Sequence, residues 1–527
     1  MTAKDLHGSS KLATLDEINE CGFLEGKGLA FGYKNVKDNL FAPVTYGGDS
    51  HIVTVARTRS GKGTTQIIPS LLDHEGALLC IDPKGENAII TAEAREKIHG
   101  QKVAIFDPWR KACQVLEREP DCFNPLDMLA DNDDLADDAI EMADTLIMAE
   151  QGGDSHWSDE AKAMCTALII HLVTSPNEEG QRNLGRLREI LSLPPAGLQS
   201  LVVDMAENGH KLAKDGANRI MQKSEKELSS VISTAQRNTH FLEGERVKKS
   251  LSKSTFDFAN LKDDENPVSV YIVLPAERLN THGRLLRLMV SMGIMAMVRE
   301  GKKPKKSALF LLDEFAALGK LAIVQDAYGL MAGFGMQIHA VVQDLTQLQT
   351  LYGNRWQTFI GNADVLQVFG TRDLFTAEYI SKLAGRSTIE EISLATADKR
   401  AGGMFTPADP TYSAMADKTH GRAVLMPEEI IRMPKDIELL FMPELNVIEA
   451  RKVPYYNNGK YYEVDGTPKF RVHPDHEPVD NFWYWDSATI ERFRETEKAD
   501  EPTPKPTKKR WWQGSLSEDA QAELNGG

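Results

Sequence analysis

Cysteine is scarce in this sequence. The 527 residues hold five, Cys21, Cys80, Cys113, Cys122 and Cys165, and no two of them form a C-x-x-C pair. An odd, scattered set provides neither a disulfide framework nor a four-ligand zinc site, and it fits a reducing compartment. Long apolar runs are missing too. The longest occupies residues 288–298, closed by Arg287 and Arg299. A membrane span needs roughly 20 apolar residues, so this run reads as a buried helix. The first twenty residues are polar and lack the apolar core of a secretion signal. Basic charge is in deficit, with Lys+Arg 61 against Asp+Glu 77 and a formal net charge of −16. That excludes a protein coated in basic surface for wrapping nucleic acid, while leaving room for a local basic channel. As written, the chain reads as a soluble cytoplasmic protein.

What is present is ordinary globular composition, 41% hydrophobic and 26% charged, in a length that predicts about two to four domains. After a mixed lead-in over 1–50, with a short helix at 15–21 and a strand at 29–33, HIVTV (51–55) reads as a buried strand. ALLCID (77–82) and KVAIFD (102–107) follow, separated by helical stretches at 64–72 and 87–98. Strand alternating with helix predicts a parallel, doubly wound sheet. From 126 to 261 the period is helical throughout, with Ser158 as the expected N-cap of a helix over 158–175. Strand signals return at 269–275, 308–313, 337–342 and 365–370. The expected organisation is an α/β domain over 51–125 and 267–457, interrupted by an all-α domain over 126–266. A C-terminal extension over 458–527 carries a Pro/Lys-rich linker at 501–510.

Directly after the 51–55 strand stands ARTRSGKGTT, residues 56–65. Strand, glycine-rich turn and helix start are the context of a phosphate-binding loop. Its N–H groups and the helix N-terminus favour an anion. Lys62 would reach the β- and γ-phosphates, with Thr58, Arg59, Ser60, Gly61, Gly63, Thr64 and Thr65 around them. The spacing departs from G-x-x-x-x-G-K-[ST]: Ala56 takes the first glycine position, and Gly63 follows the lysine. Thr64 is the candidate Mg²⁺ hydroxyl, displaced by one residue. The competing reading of the loop is a turn with exposed basic residues.

The apolar strand 308–312 ends in Asp313-Glu314. A parallel strand delivers its C-terminal residues to the ligand crevice, where Asp313 would hold Mg²⁺ and Glu314 would polarise a water. Gln343, at the end of the 337–342 strand, is a candidate γ-phosphate sensor, though helix capping by Asp344 fits the same residues. Asp82, Lys84 and Glu86 are further candidates for the phosphate or Mg²⁺ network, against a plain strand-to-helix turn. Arg372 and Arg386 are candidate arginine fingers toward a neighbour's γ-phosphate. Lys302, Lys303, Lys305 and Lys306, and likewise Lys248, Lys249 and Lys253, read more simply as solvated surface than as DNA contacts. Trp157 reads as packing. Trp511 and Trp512, after Lys508-Lys509-Arg510, form a basic-aromatic tail suited to docking a partner or stacking on bases, and equally to a helix anchoring back on the α/β domain.

These residues resemble a known family, the coupling ATPases of type IV secretion systems, or TraG-like conjugative DNA transfer proteins. The resemblance spans residues 7–456 through ordered blocks. They are HGSSKLAT (7–14), HIVTVARTRSGKGTTQIIPSLL (51–72), IDPKGENAIITAEAR (81–95), GQKVAIFDP (100–108) and FNPLD (123–127), then SVYIVLP (269–275), LFLLDEFAALGKL (309–321) and LMPEEIIRMPKDIELLF (425–441). It implies a RecA-like P-loop NTPase with a mostly parallel sheet and an inserted all-α domain, working as a homo-hexamer with ATP and Mg²⁺ at subunit interfaces. It also implies delivery of relaxase-bound single-stranded DNA or effector proteins to the secretion channel. The family usually carries transmembrane helices before the HGS block, which here begins at His7. The expectation is therefore work at the cytoplasmic face of the inner membrane, through an anchor missing here or supplied by a partner. Two alternatives stay open: a nucleotide-gated receptor or adaptor with little hydrolysis, and a generic hexameric DNA translocase without a secretion channel.

Overall fold

A computed structural model describes residues 8–37, 40–148, 155–299, 301–394, 415–463 and 467–476. In chain order its strands are β1 (Leu29–Lys37), β2 (Leu40–Tyr46), β3 (His51–Val55), β4 (Leu78–Asp82), β5 (Lys102–Phe106), β6 (Val268–Val273) and β7 (Ala308–Leu312). They continue with β8 (Met336–Val342), β9 (Ala363–Val368), β10 (Arg386–Leu394), β11 (Met415–Ala423), β12 (Ile437–Phe441) and β13 (Ile448–Arg451). Eleven form one sheet in the order β2-β1-β13-β12-β9-β3-β8-β7-β4-β6-β5. The run from β9 to β5 is parallel throughout. Beyond β9, the strands β12, β13, β1 and β2 extend it antiparallel. β10 and β11 make a separate two-stranded ribbon. This is the mostly parallel α/β sheet expected, with the limits of the parallel strands shifted by a residue or two and the lead-in contributing the edge strand β2 and its neighbour β1.

The central strands read as unbroken apolar runs because both faces of the sheet are covered. Side chains alternate between two cores: Val53 and Val55 join one, Ile52 the other; Ala308, Phe310 and Leu312 join the first, Leu309 and Leu311 the second. The apolar run at 288–298 is the C-terminal half of a helix over Leu279–Val298 that lies on the first face. It sits so close that a Cβ on Gly293 would fall 2.6 Å from Leu79 Cδ1 and 3.2 Å from Phe310 Cε1. Among the described residues, no helix is long and apolar enough to cross a membrane.

Between β5 and β6 the described residues contain helices and no strand. The helix Ser155–Thr174 forms the centre of this block, with Met164, Cys165, Leu168, Ile169 and Leu172 buried. Ser158 does not cap it. The helix is already under way at Ser155, so Ser158 lies in its first turns, 3% exposed. The block's apolar side chains merge with the core on the first face of the sheet, which ties the insertion firmly to the parallel strands.

One buried cation holds the helix that follows the glycine-rich loop. Arg95 donates to the carbonyls of Leu71 (2.5 Å), His74 (2.7 Å) and Gly76 (2.8 Å), to Ser269 Oγ (2.6 Å) and to Gln101 Oε1 (2.7 Å). Two of those carbonyls end the helix Ile68–Asp73, where a cation is favoured by the dipole. Tyr455, Tyr461, Tyr462 and Phe470 pack on Ile68 and Leu72 of the same helix, so the start of the C-terminal extension folds back on it. The linker at 501–510 and the Lys508–Trp512 tail lie outside the described residues, as does His7.

Candidate functional site

Parallel register brings three strand ends to one edge. Val55 pairs with Val342 and Leu312 with Ala340, so β3, β8 and β7 finish nearly level, with β8 between the other two. The loop at 56–65, Gln343 and Asp313-Glu314 therefore leave the sheet together.

In the loop, Gly61 has φ +91, a conformation that needs glycine, and Arg59 sits at φ 61. The N–H groups of Gly61 and Lys62 have no protein acceptor among the described residues. Two successive free donors ahead of a helix make an anion-binding concavity. Residues 63–67 then form a π-type turn, in which the Ile68 N–H donates to Gly63 O, before the α-helix Ile68–Asp73 begins. The sequence predicts continuous α-helix here from Thr64. The wider turn accommodates the extra residue that Gly63 places after the lysine. Thr64 Oγ1 and Thr65 Oγ1 both donate to Gly61 O, at 3.1 and 2.9 Å, so the two hydroxyls stand side by side. Thr58 and Arg59 are exposed, and Ser60 is partly covered with its Oγ buried and unpartnered.

Lys62 Nζ lies 2.7 Å from Asp313 Oδ1 and 2.9 Å from Glu314 Oε1. Glu314 is in the left-handed region, φ 59 and ψ 47, which turns its side chain toward the loop; its N–H donates to Asp313 Oδ1 at 3.0 Å. Such a conformation is strained for a residue with a Cβ, and strain of this kind concentrates where chemistry fixes geometry. Gln343 Nε2 donates to the other Glu314 oxygen at 3.2 Å. Asp344 caps the helix Leu345–Tyr352 by accepting from the Gln347 N–H at 3.0 Å. Capping and a functional glutamine are therefore compatible.

Burial pulls the Lys62 pKa down, but the two carboxylates outweigh it and raise the pKa. Burial drives Asp313 above its ordinary value, only partly countered by Lys62. Burial also acts on Glu314, yet Lys62 and the Gln343 amide overcome it and hold that carboxyl below the ordinary range. A single ammonium between two carboxylates marks a place built for a cation. Among the described residues, no group of three or more His, Cys, Asp or Glu side chains could hold a metal alone. That donor set fits Mg²⁺, which is normally held by one or two carboxylates together with substrate phosphates.

Other expected residues are placed differently. Asp82 accepts from the N–H groups of Lys84 (3.3 Å), Gly85 (2.8 Å) and Ala88 (2.9 Å). Its carboxylate is occupied by the turn, and burial, with the Asp313 charge nearby, pushes its pKa up to about 7. Glu86 pairs with Lys84 at 3.7 Å on the surface. Arg372, after β9, and Arg386, opening β10, are exposed and have no bond to the Lys62 group. Lys303 pairs with Asp49 and Lys306 with Glu75, as solvated surface would. Trp157 packs against the main core. Motif spacing gives no pointer to Lys452, which donates to the Ser60 carbonyl at 3.3 Å. The nearest signal was an acidic residue, Glu438, inside the apolar strand IELLF.

The family model described as type IV secretory system conjugative DNA transfer matches residues 11–477. The chain belongs to that family. The conjugal transfer protein TraG of Escherichia coli is 30% identical over 468 residues, covering 81% of this chain and 71% of TraG. The protein VirD4 of Agrobacterium fabrum is 27% identical over 463 residues, covering 86% of this chain and 66% of VirD4. Among solved structures, the plasmid coupling protein TrwB in complex with the ATP analogue ADPNP matches with a TM-score of 0.61 at 15% identity. It covers 84% of this chain and 93% of that one. TrwB with ADP and Mg²⁺ matches equally well, with a TM-score of 0.61 at 15% identity. At that identity the likeness establishes the RecA-like P-loop fold. Family membership makes the chain a coupling protein of conjugative transfer through type IV secretion.

Proposed function

We propose that this coupling protein is an ATP-driven motor, and that the carrying observation is Lys62 held between Asp313 and Glu314 with Gln343 on Glu314. The loop N–H groups and Lys62 bind the β- and γ-phosphates of ATP. Asp313 and a hydroxyl of Thr64 or Thr65 hold Mg²⁺, which when bound neutralises charge on the phosphates. Glu314, placed by its left-handed backbone and by Gln343, accepts the proton of the attacking water. TraG, VirD4 and the nucleotide-bound TrwB structures support this reading by likeness. The division into an α/β motor over 51–125 and 267–457 and an all-α domain over 126–266 belongs to the same proposal. So do a homo-hexamer in which Arg372 serves a neighbour's site, contacts to the secretion channel, relaxase-bound DNA or effector proteins as cargo, and work at the cytoplasmic face of the inner membrane.

The adaptor reading has one observation in its favour: both loop hydroxyls are turned onto Gly61 O. A transfer assay with Lys62→Ala and Glu314→Gln separates the two. The motor reading expects transfer to be lost in both variants. Transfer that survives both changes rejects the motor.

A further inference from the structure

Beneath the loop runs a buried polar chain that the hydrolytic residues do not use. The Thr54 hydroxyl on β3 donates to Gln367 Oε1 on β9 at 2.8 Å and lies 2.8 Å from His339 Nε2 on β8. Its one proton goes to Gln367, so His339 must donate through Nε2–H, leaving Nδ1 as a bare acceptor. That Nδ1 is buried without a partner, consistent with this tautomer. Gln367 Nε2 donates to Gln66 Oε1 in the turn after the loop and to Glu438 Oε2 on β12, both at 2.8 Å. Gln66 Nε2 passes the chain to Ser70 Oγ at 2.9 Å.

A buried lysine stands at the back of the same loop, tied to Glu438 by charge and not by a hydrogen bond. Lys452 follows β13 and is 7% exposed. Its backbone N–H donates to Asp436 O at 2.7 Å, fixing where the side chain starts. The ammonium lies 4.3 Å from the centroid of the Phe369 ring and donates to the carbonyl of Ser60 at 3.3 Å. Burial raises the Glu438 pKa and lowers that of Lys452, to about 8 each, and the opposite charge of each counters the shift of the other.

The geometry points to Lys452 as a positioning residue of the phosphate loop, one that sets the orientation of the Ser60–Gly61 peptide. The Ser60–Gly61 peptide is trans, so its carbonyl and N–H lie in the peptide plane and point in opposite directions. Holding the Ser60 carbonyl toward Lys452 aims the Gly61 N–H the other way, into the loop. That N–H has no protein acceptor among the described residues. Gly61, at φ +91, has the freest backbone in the loop and most needs an external constraint. Two of the antiparallel strands added beyond β9 thereby gain a purpose, since β12 carries Glu438 and β13 leads into Lys452 at the back of the loop.

This inference rests on the reading of the loop as an ATP site, and the test separates the two. Binding of a fluorescent ATP analogue with Mg²⁺, steady-state hydrolysis and the thermal midpoint are measured for the wild type, Lys62→Ala, Lys452→Met, Lys452→Arg and Phe369→Leu. A mispointed N–H weakens substrate and transition state alike. Lys452→Met is therefore expected to raise KM and Kd for the nucleotide about tenfold with kcat changed far less, and Lys452→Arg to recover most of the loss. Phe369→Leu, which removes the ring under the ammonium and keeps the lysine, raises KM about threefold and decides the matter if Lys452→Met does not fold. Unchanged KM in either soluble variant overturns the inference, as does a loss in kcat alone. If the wild type does not bind the analogue, or Lys62→Ala binds it equally well, the ATP reading itself fails and the inference falls with it.

Discussion

At the scale of single residues, the site is decided by three charges. Lys62 faces two carboxylates within 3 Å, so the group carries one net negative charge. Each contact is partly shielded from water, and a pair at such distances in an effective dielectric of about 20 is worth about 6 kcal/mol before desolvation is counted. A triphosphate offers the ammonium more negative charge than the carboxylates do. In the proposed motor, Lys62 would therefore move to it while Asp313 and Glu314 would turn to the metal and the water. The pH behaviour follows with a definite sign. Glu314 is held below its ordinary 4.5 despite burial, because Lys62 and Gln343 favour the ionised form. Its contribution to stability is present above that ordinary value and is lost as pH falls through the lower value in the fold. The thermal midpoint of the wild type is expected to exceed that of Glu314→Gln at neutral pH, and the gap to close below pH 4.5. A gap that is constant with pH contradicts this assignment of charge.

At the scale of elements, close approaches do as much as apolar area. Gly216, in the helix Lys211–Met221, crosses the helix Ser155–Thr174 so tightly that a Cβ would fall 2.2 Å from Ala167 Cβ. Alanine is worth about 1 kcal/mol over glycine in a helix interior. Overpacking costs about 1–3 kcal/mol, so the clash is expected to win and Gly216→Ala to lower the thermal midpoint. A raised midpoint would show that the helices separate easily. The elements differ in how far their sequence announces them. β3, β4, β6 and β7 were legible because strands covered on both faces become continuous apolar runs. The helical insertion was legible because its period changes at Asn124-Pro125 and stays changed. Asp313, Glu314 and Gln343 were legible as strand ends, since parallel register alone brings them level. The antiparallel strands β12 and β13 were not: short, half-apolar and distant in sequence, they join the sheet only through β9 and β1. Lys452 was illegible for the same reason, as its partner Ser60 is 392 positions away. Ser158 misled because an acidic run after serine imitates a helix start that lies further upstream.

At the scale of the whole molecule, a parallel sheet and a helical insertion fused to its core support one edge at which phosphate loop, acidic pair and glutamine converge. The net charge of −16 confines any nucleic-acid contact to a local surface, where binding would weaken steeply with salt. The motor reading stands or falls on whether this edge hydrolyses ATP with Glu314 as the base. Mg²⁺-dependent ATP hydrolysis by the purified chain, wild type against Glu314→Gln, decides it, with nucleotide binding followed in parallel. The substitution is expected to lower kcat by about a hundredfold or more while binding is retained. Hydrolysis by Glu314→Gln at the wild-type rate would contradict that role for Glu314.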